Sequence, residues 1–316
     1  MLFWSCNSPA ESPYPNLSFQ PIDTMPGVGR ASGVAFVIQN KAYITLGRSN
    51  ILSDSLKTCW EFDPNFKTWT ARADFPGIQR VNAFAEVVND TAYVGLGYKA
   101  YSGGYAGANL KDLYIYVPSS DKWERKADFP SKTTVACVSF VHKGCIYVGA
   151  GFDDKIFSNE FWKYTPSLNL WTQLGDFPGP RRAGAAMCTS SEHIYFGTGY
   201  NSESQSDWWE YFPLDDSWKH LKSIPTDGRI NAVALSVSNR YFVATGRHFG
   251  GNLTGGHVKA DILEYDAKKN VWYERGTLPK SGRENAISFT INNKGYIGLG
   301  ENDAEILNDI YSFQVE

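Results

Sequence analysis

No run of about 18 apolar residues occurs in the 316-residue chain, so no segment has the length and hydropathy of a membrane-spanning helix. Charged residues are sparse, at 20%, and sum to a net charge of −3. That excludes a broadly basic nucleic-acid binder, which would carry clustered Lys and Arg and a high pI. The 42% of hydrophobic residues excludes a wholly disordered chain. The five cysteines form no C-x-x-C pair. Cys59, Cys137, Cys145 and Cys188 fall in strand-like segments, which gives neither a disulfide framework nor a zinc-finger spacing. H-E-x-x-H, Walker A, EF-hand and G-x-S-x-G motifs are all missing. Of the five histidines only His248 and His257 share a loop, at a spacing unsuited to metal ligation. No metal and no cofactor are expected. Amphipathic helical periodicity is lacking throughout.

What the chain has in quantity is aromatic side chains and glycine: 10 Trp, 18 Tyr, 19 Phe and 29 Gly. Their placement is periodic. A proline recurs at Pro26, Pro76, Pro130, Pro178, Pro225 and Pro279, with gaps of 50, 54, 48, 47 and 54 residues. Seven residues before these stand Phe19, Trp69, Trp123, Trp171, Trp218 and Trp272. Seven before the tryptophans stand Phe62, Tyr116, Tyr164, Tyr211 and Tyr265. Each unit also holds an alternating run ending in glycine, at Gly47, Gly97, Gly151, Gly199, Gly246 and Gly300. Period-2 alternation rich in Val, Ile, Tyr and Trp reads as strands. Each unit therefore reads as four short strands, a to d, with the glycine ending strand b and the Trp on strand d.

These offsets resemble the kelch repeat. The resemblance covers about residues 16–316 and implies an all-β, six-bladed kelch β-propeller forming a single domain over 16–316. The sixth unit stops at Phe313, the strand-c aromatic, and lacks a strand d. The segment Leu17 to Met25 has the register of the other d strands. It is expected to complete the last blade and close the ring, which removes an exposed sheet edge. Most of the listed aromatics are then packing between blades.

Topology places the d–a and b–c loops on one face, around the channel mouth. Four residues after each proline come Arg30, Arg80, Thr134, Arg182, Arg229 and Arg283. Five arginines at one offset could ring the mouth and attract an anion, since guanidinium donors suit carboxylate or phosphate. They could equally pair with the acids four residues before the strand-c aromatics: Asp112, Glu160, Asp207, Asp261 and Asp309, with Thr58 in blade one. The acids lie two strands outward, about 9–10 Å away at ordinary strand spacing, and so both readings stay open. Asn82, Asn231 and Asn285 follow three of the arginines at a fixed offset. Directly after the strand-b glycines come Arg48, Tyr98, Phe152, Tyr200, Arg247 and Glu301, a mixture of stacking and hydrogen-bonding groups. The longest b–c loops, in blades two and five, would face each other; the first holds Tyr101 and Tyr105, the second His248 and Phe249.

The first residues read as a leader over 1–15. Ser5-Cys6 resembles the end of a bacterial lipoprotein signal in truncated form, with Cys6 as the lipid acceptor. Export to the periplasm or outer membrane is expected on that ground, with Cys6 as the only membrane contact. The leading reading is an exported, monomeric, non-enzymatic propeller that binds a glycan, an acidic sugar or a protein or peptide at the d–a/b–c face, and no nucleic acid. The alternative comes from resemblance to bacterial sialic-acid mutarotases, which are six-bladed kelch propellers. It implies Glu301, after Gly300, as the catalytic residue; the Arg which that family carries six positions on is Leu307 here.

Overall fold

The computed structural model describes residues 8–49, 56–100, 107–251 and 255–315. Cys6, Tyr101 and Tyr105 lie outside them. Six four-stranded antiparallel sheets follow one another, each in the order a-b-c-d from the channel outward. Blade one is Val34–Ile38, Lys41–Thr45, Cys59–Asp63 and Thr68–Arg72. Blade six is Ile287–Ile291, Lys294–Gly298 and Ile310–Gln314, completed by Phe19–Pro21 from the N-terminal side. Phe19 pairs with Phe313, as Trp69 pairs with Phe62 in blade one. The closing strand is shorter than the expected 17–25 stretch. Its ladder runs out at Pro21, which has no N–H to donate, and only Ile22 N adds a bond, to Ile310 O at 3.0 Å.

Six apolar clusters fill the six blade boundaries, each built from two neighbouring blades. Burial of a Phe- or Leu-sized side chain there contributes about 1.5–3 kcal/mol. The repeating aromatics serve this packing: strand-d Trp and strand-c aromatic pack as tilted rings at 4.6–5.0 Å between centroids in five blades. Four of the tryptophan indoles also donate to a backbone carbonyl of the preceding blade or closing segment, as Trp123 Nε1 does to Ala73 O at 2.9 Å. The strand-c tyrosines are fixed in turn. Tyr116 Oη donates to Asp121 Oδ1 at 2.7 Å, and the same oxygen accepts from Ala73 N at 2.9 Å. One acid thus ties a turn, a ring and the preceding blade together.

The chain ahead of Phe19 is docked over part of its length. From Ala10 it lies along the outer strand of blade five, Val271–Thr277. Ala10 N donates to Trp272 O at 2.8 Å and Leu17 N to Arg275 O at 2.9 Å. The buried Arg275 guanidinium donates twice to Pro15 O, at 3.1 and 2.8 Å. Among the described residues no helix is long and apolar enough to cross a membrane, and Cys59, Cys137, Cys145 and Cys188 are free thiols.

Candidate functional site at the channel mouth

Two circles of backbone hydrogen bonds build the mouth. In the first, each strand-b glycine donates across the blade boundary to the residue four after the next proline: Gly47 N to Arg80 O, then Gly97 to Thr134 and so on to Gly300 and Arg30, at 2.7–3.0 Å. In the second, nearer the axis, Asn82 N donates to Ser32 O, Ala136 to Asn82, Gly184 to Ala136, Asn231 to Gly184, Asn285 to Asn231 and Ser32 to Asn285, at 2.8–3.3 Å. The glycines are required. Their φ angles are +83° to +104°, and a Cβ on Gly47 would lie 2.5 Å from Ala31 O. The result is a rigid rim on which the following residue always projects at the mouth, paired with the d–a bend of its own blade: Ala31 with Arg48, Val81 with Tyr98, Val135 with Phe152, Ala183 with Tyr200, Ile230 with Arg247, Glu284 with Glu301.

The arginine circle is not part of that surface. Arg30, Arg80, Arg182, Arg229 and Arg283 are only 0–2% exposed. Arg80 grips Asp112 with NH1 at 2.6 Å and NH2 at 2.8 Å and also reaches Leu96 O. Arg229 grips Asp261 at 2.8 and 2.7 Å, Arg283 donates to Asp309 at 2.7 Å, and Arg182 holds Asp207 in the same fork. Arg30 donates instead to Thr58 Oγ1 at 2.7 Å. The open question of pairing against ligand contact resolves toward pairing. Strand spacing alone made the acids look remote, but an arginine side chain spans strand b, bonding its last carbonyl on the way to strand c.

What the rim exposes divides into two arcs. Blades five, six and one supply a charged arc. Glu284 and Glu301 exchange both backbone bonds, at 2.9 and 3.0 Å, so their side chains leave the same face of the bridge, about 5.5 Å apart at Cα. Like charges so placed repel, and each is compensated. Glu301 is ion-paired with Arg48 of the neighbouring blade and accepts from Asn285 Nδ2 at 2.7 Å. Glu284 is ion-paired with Arg247 and accepts from Asn231 Nδ2 at 3.0 Å. Arg247 also reaches Asp303 at 2.6 Å and Gly256 O at 3.1 Å. Burial disfavours its charge, but the hydrogen bonds to Glu284 and Asp303 outweigh that and hold its pKa above the ordinary arginine value. Arg48 is the accessible member, with 44% of its side chain exposed against 13% for Glu301. Leu307 is buried, and its backbone anchors the rim through Gly300 O and Arg30 N. The cation beside Glu301 comes from Arg48 across the blade boundary.

Blades three to five supply an aromatic arc. Phe152 packs on Phe157 at 5.0 Å, Phe157 on Tyr200 at 5.9 Å and Tyr200 on Phe249 at 6.0 Å. Tyr200 Oη donates to Gly251 O at 2.7 Å, and Phe249 N donates to Ser204 Oγ at 2.8 Å, so the described part of the blade-five loop leans onto blade four. Tyr98 sits on the rim in blade two, and Asn82 belongs to the axial circle. His248 is turned outward: its Nδ1 lies 2.8 Å from Gly228 O. Two members of the site escaped sequence reasoning. Glu284 stood in view between Arg283 and Asn285, but only the bridge reveals that it faces Glu301. Phe157 sits in a short loop whose pairing with Phe152 carries no repeat signal. Among the described residues no group of three His, Cys, Asp or Glu is placed to hold a metal ion.

Comparison with known proteins agrees with the fold. A Kelch motif matches residues 134–178. N-acetylneuraminate epimerase 1 of Escherichia coli O6:H1 is 30% identical over 132 residues, which is 41% of this chain and 33% of that protein. N-acetylneuraminate epimerase of Escherichia coli O157:H7 is 30% identical over 133 residues, 41% of this chain and 34% of that one. The matched stretch thus spans about a third of these relatives. A solved structure titled "Structure of YjhT" superposes with a TM-score of 0.81 at 21% identity, covering 93% of this chain and 97% of that one. The chain is a six-bladed propeller that carries a Kelch motif over residues 134–178 and has partial sequence similarity to N-acetylneuraminate epimerases.

Proposed function

We propose that the channel mouth binds an acidic sugar and interconverts its anomers, with Glu301 moving the proton. The observation that carries this reading is the Arg48–Glu301–Asn285 cluster at the rim, beside an aromatic arc. Anomer exchange needs a base for the anomeric hydroxyl and an acid for the ring oxygen. Both oxygens sit on one carbon, so a single carboxylate can serve both. Glu301 takes the proton from the anomeric hydroxyl and returns it to the ring oxygen as the ring C–O bond breaks. The open-chain carbonyl rotates and recloses on its other face by the reverse transfer, with no net proton consumed. Arg48, exposed and held among the described residues by Glu301 alone, is the group that can turn to a sugar carboxylate, and doing so releases Glu301 to act. Arg247 and Glu284 hold each other in place and offer hydrogen bonds to hydroxyls. Phe152, Phe157 and Tyr200 offer flat apolar surface to a sugar face.

The partial similarity to N-acetylneuraminate epimerases supports the substrate class. Exchange spectroscopy by NMR on N-acetylneuraminate tests it. The full chain should accelerate α/β exchange, and Glu301→Gln should lose nearly all of the acceleration while staying folded. No acceleration by the wild-type chain, or full activity in Glu301→Gln, refutes the assignment. Saturable sugar binding without exchange would return the protein to a non-catalytic glycan-binding role. We also infer export with a lipid on Cys6, which the mass of the mature N-terminal peptide would test.

A further inference from the structure

Blade three breaks the rule the other five obey. It has Thr134 where they have a buried arginine, and Thr134 turns its hydroxyl to Gly97 O at 3.3 Å. The strand-b carbonyl that a guanidinium takes elsewhere is here Ala150 O, which accepts from Cys137 Sγ at 3.5 Å. Yet the carboxylate of the pair is kept. Glu160 occupies the position of Asp112, Asp207, Asp261 and Asp309, each of which is held by its own blade's arginine. Glu160 Oε2 accepts from Ser131 Oγ at 2.7 Å and from Trp162 Nε1 at 3.3 Å. Among the described residues, no cation pairs with Glu160 and no hydrogen bond reaches its Oε1.

This half-satisfied carboxylate lines a cavity of about 510 Å³ between blades three and four. Asp153, Asp176, Lys132 and Arg181 also line it, so three carboxylates stand against two cations, and Trp162 and Phe157 supply aromatic wall. The sister blades show what this position accommodates. Their guanidiniums grip the carboxylate with two nitrogens and lie over an aromatic ring, Arg80 over Phe75 at 4.8 Å and Arg182 over Phe177 at 5.0 Å. A planar fork on a carboxylate beside aromatic faces is a geometry an ammonium cannot reproduce.

We propose that this cavity is a second binding site, bordering the mouth only at Phe157, for a small alkylguanidinium ligand whose guanidinium bonds the open oxygen of Glu160, the charge that the missing arginine would have met. Agmatine is the probe, titrated into the full chain by calorimetry at low and moderate salt. Saturable binding is expected, weakened by salt, and at least tenfold weaker in Glu160→Gln, which keeps the side-chain shape. Thr134→Arg combined with Cys137→Ala gives blade three the arginine and alanine of blades two, four, five and six, and should weaken binding by pairing Glu160 from within, as Arg80 pairs Asp112. Glu301→Gln should bind agmatine like the wild type, whatever becomes of the sugar assay. Absence of saturable binding at millimolar agmatine, unchanged affinity in Glu160→Gln, or equal affinity for n-butylammonium would each overturn the proposal.

Discussion

Arg80→Ala should cripple the fold, whereas Arg48→Ala should leave it intact. Arg80 is fully buried and makes four side-chain hydrogen bonds, to Ile78 O, Leu96 O and both oxygens of Asp112, at 2.6–3.0 Å. Truncating it strands Asp112, whose side chain is 15% exposed, in a site built to neutralise it. Removing one partner of a buried pair costs about 3–5 kcal/mol. The Arg48–Glu301 pair is the opposite case. Its arginine is 44% exposed, and exposed pairs are worth about 0–1 kcal/mol. Urea unfolding followed by tryptophan fluorescence measures both. A double replacement, Arg80→Met with Asp112→Leu, removes the stranded charge along with its partner. It should recover most of the loss, because apolar substitution of a whole buried pair is often neutral. Stability of Arg80→Ala within 1 kcal/mol of wild type, or a double variant no better than the single, would refute the structural role given to the arginine circle.

Gly97→Ala should destabilise strongly, because φ there is +89° and the new Cβ would lie 2.5 Å from Val81 O; left-handed strain alone costs about 1–3 kcal/mol, and a variant as stable as wild type in the same urea assay would contradict the rim geometry. Glu86 stands on the channel wall with Ser139 Oγ donating to it at 2.7 Å, and burial pushes its carboxyl up to about 7 although that hydrogen bond opposes the shift. Its folded-state pKa exceeds the ordinary 4.5, so the folded form binds the proton more tightly and stability is lost as pH rises from about 4.5 through about 7. Glu86→Gln should therefore stabilise more at pH 8 than at pH 5, and an equal effect at both would remove Glu86 as a titrating group. Arg275→Ala should release the 10–17 segment, read as faster protease cleavage near Tyr14, and because it also removes an ion pair from buried Glu264, which Arg240 still holds, it should lower stability by less than Arg80→Ala in the same urea assay.

The architecture was legible because a propeller writes its register into spacing. A Trp seven residues after a strand-c aromatic falls opposite it across the hairpin, and Phe19, seven residues before Pro26 as each Trp is before its own proline, takes the same place opposite Phe313. The mouth was half legible. The residue after each strand-b glycine was identifiable because the glycine fixes where it projects. Side-chain reach was not: whether an arginine points at solvent or spans two strands to an aspartate depends on the depth at which its backbone sits, and the spacing is the same either way. Glu284 was hidden for a related reason, since its meaning arises from a neighbour 17 residues on that only the bridge brings opposite. The docking of residues 10–17 rests on Arg275 and one strand edge, which no periodicity announces.

The proposed ligand chemistry belongs to the exposed rim and not to the buried arginines. Affinity for the proposed acidic sugar should be measured in two folded variants, Arg48→Ala and Arg80→Met with Asp112→Leu. At least tenfold weaker binding is expected in the first and wild-type affinity in the second; wild-type affinity in the first, or loss confined to the second, would contradict a ligand site on the exposed rim.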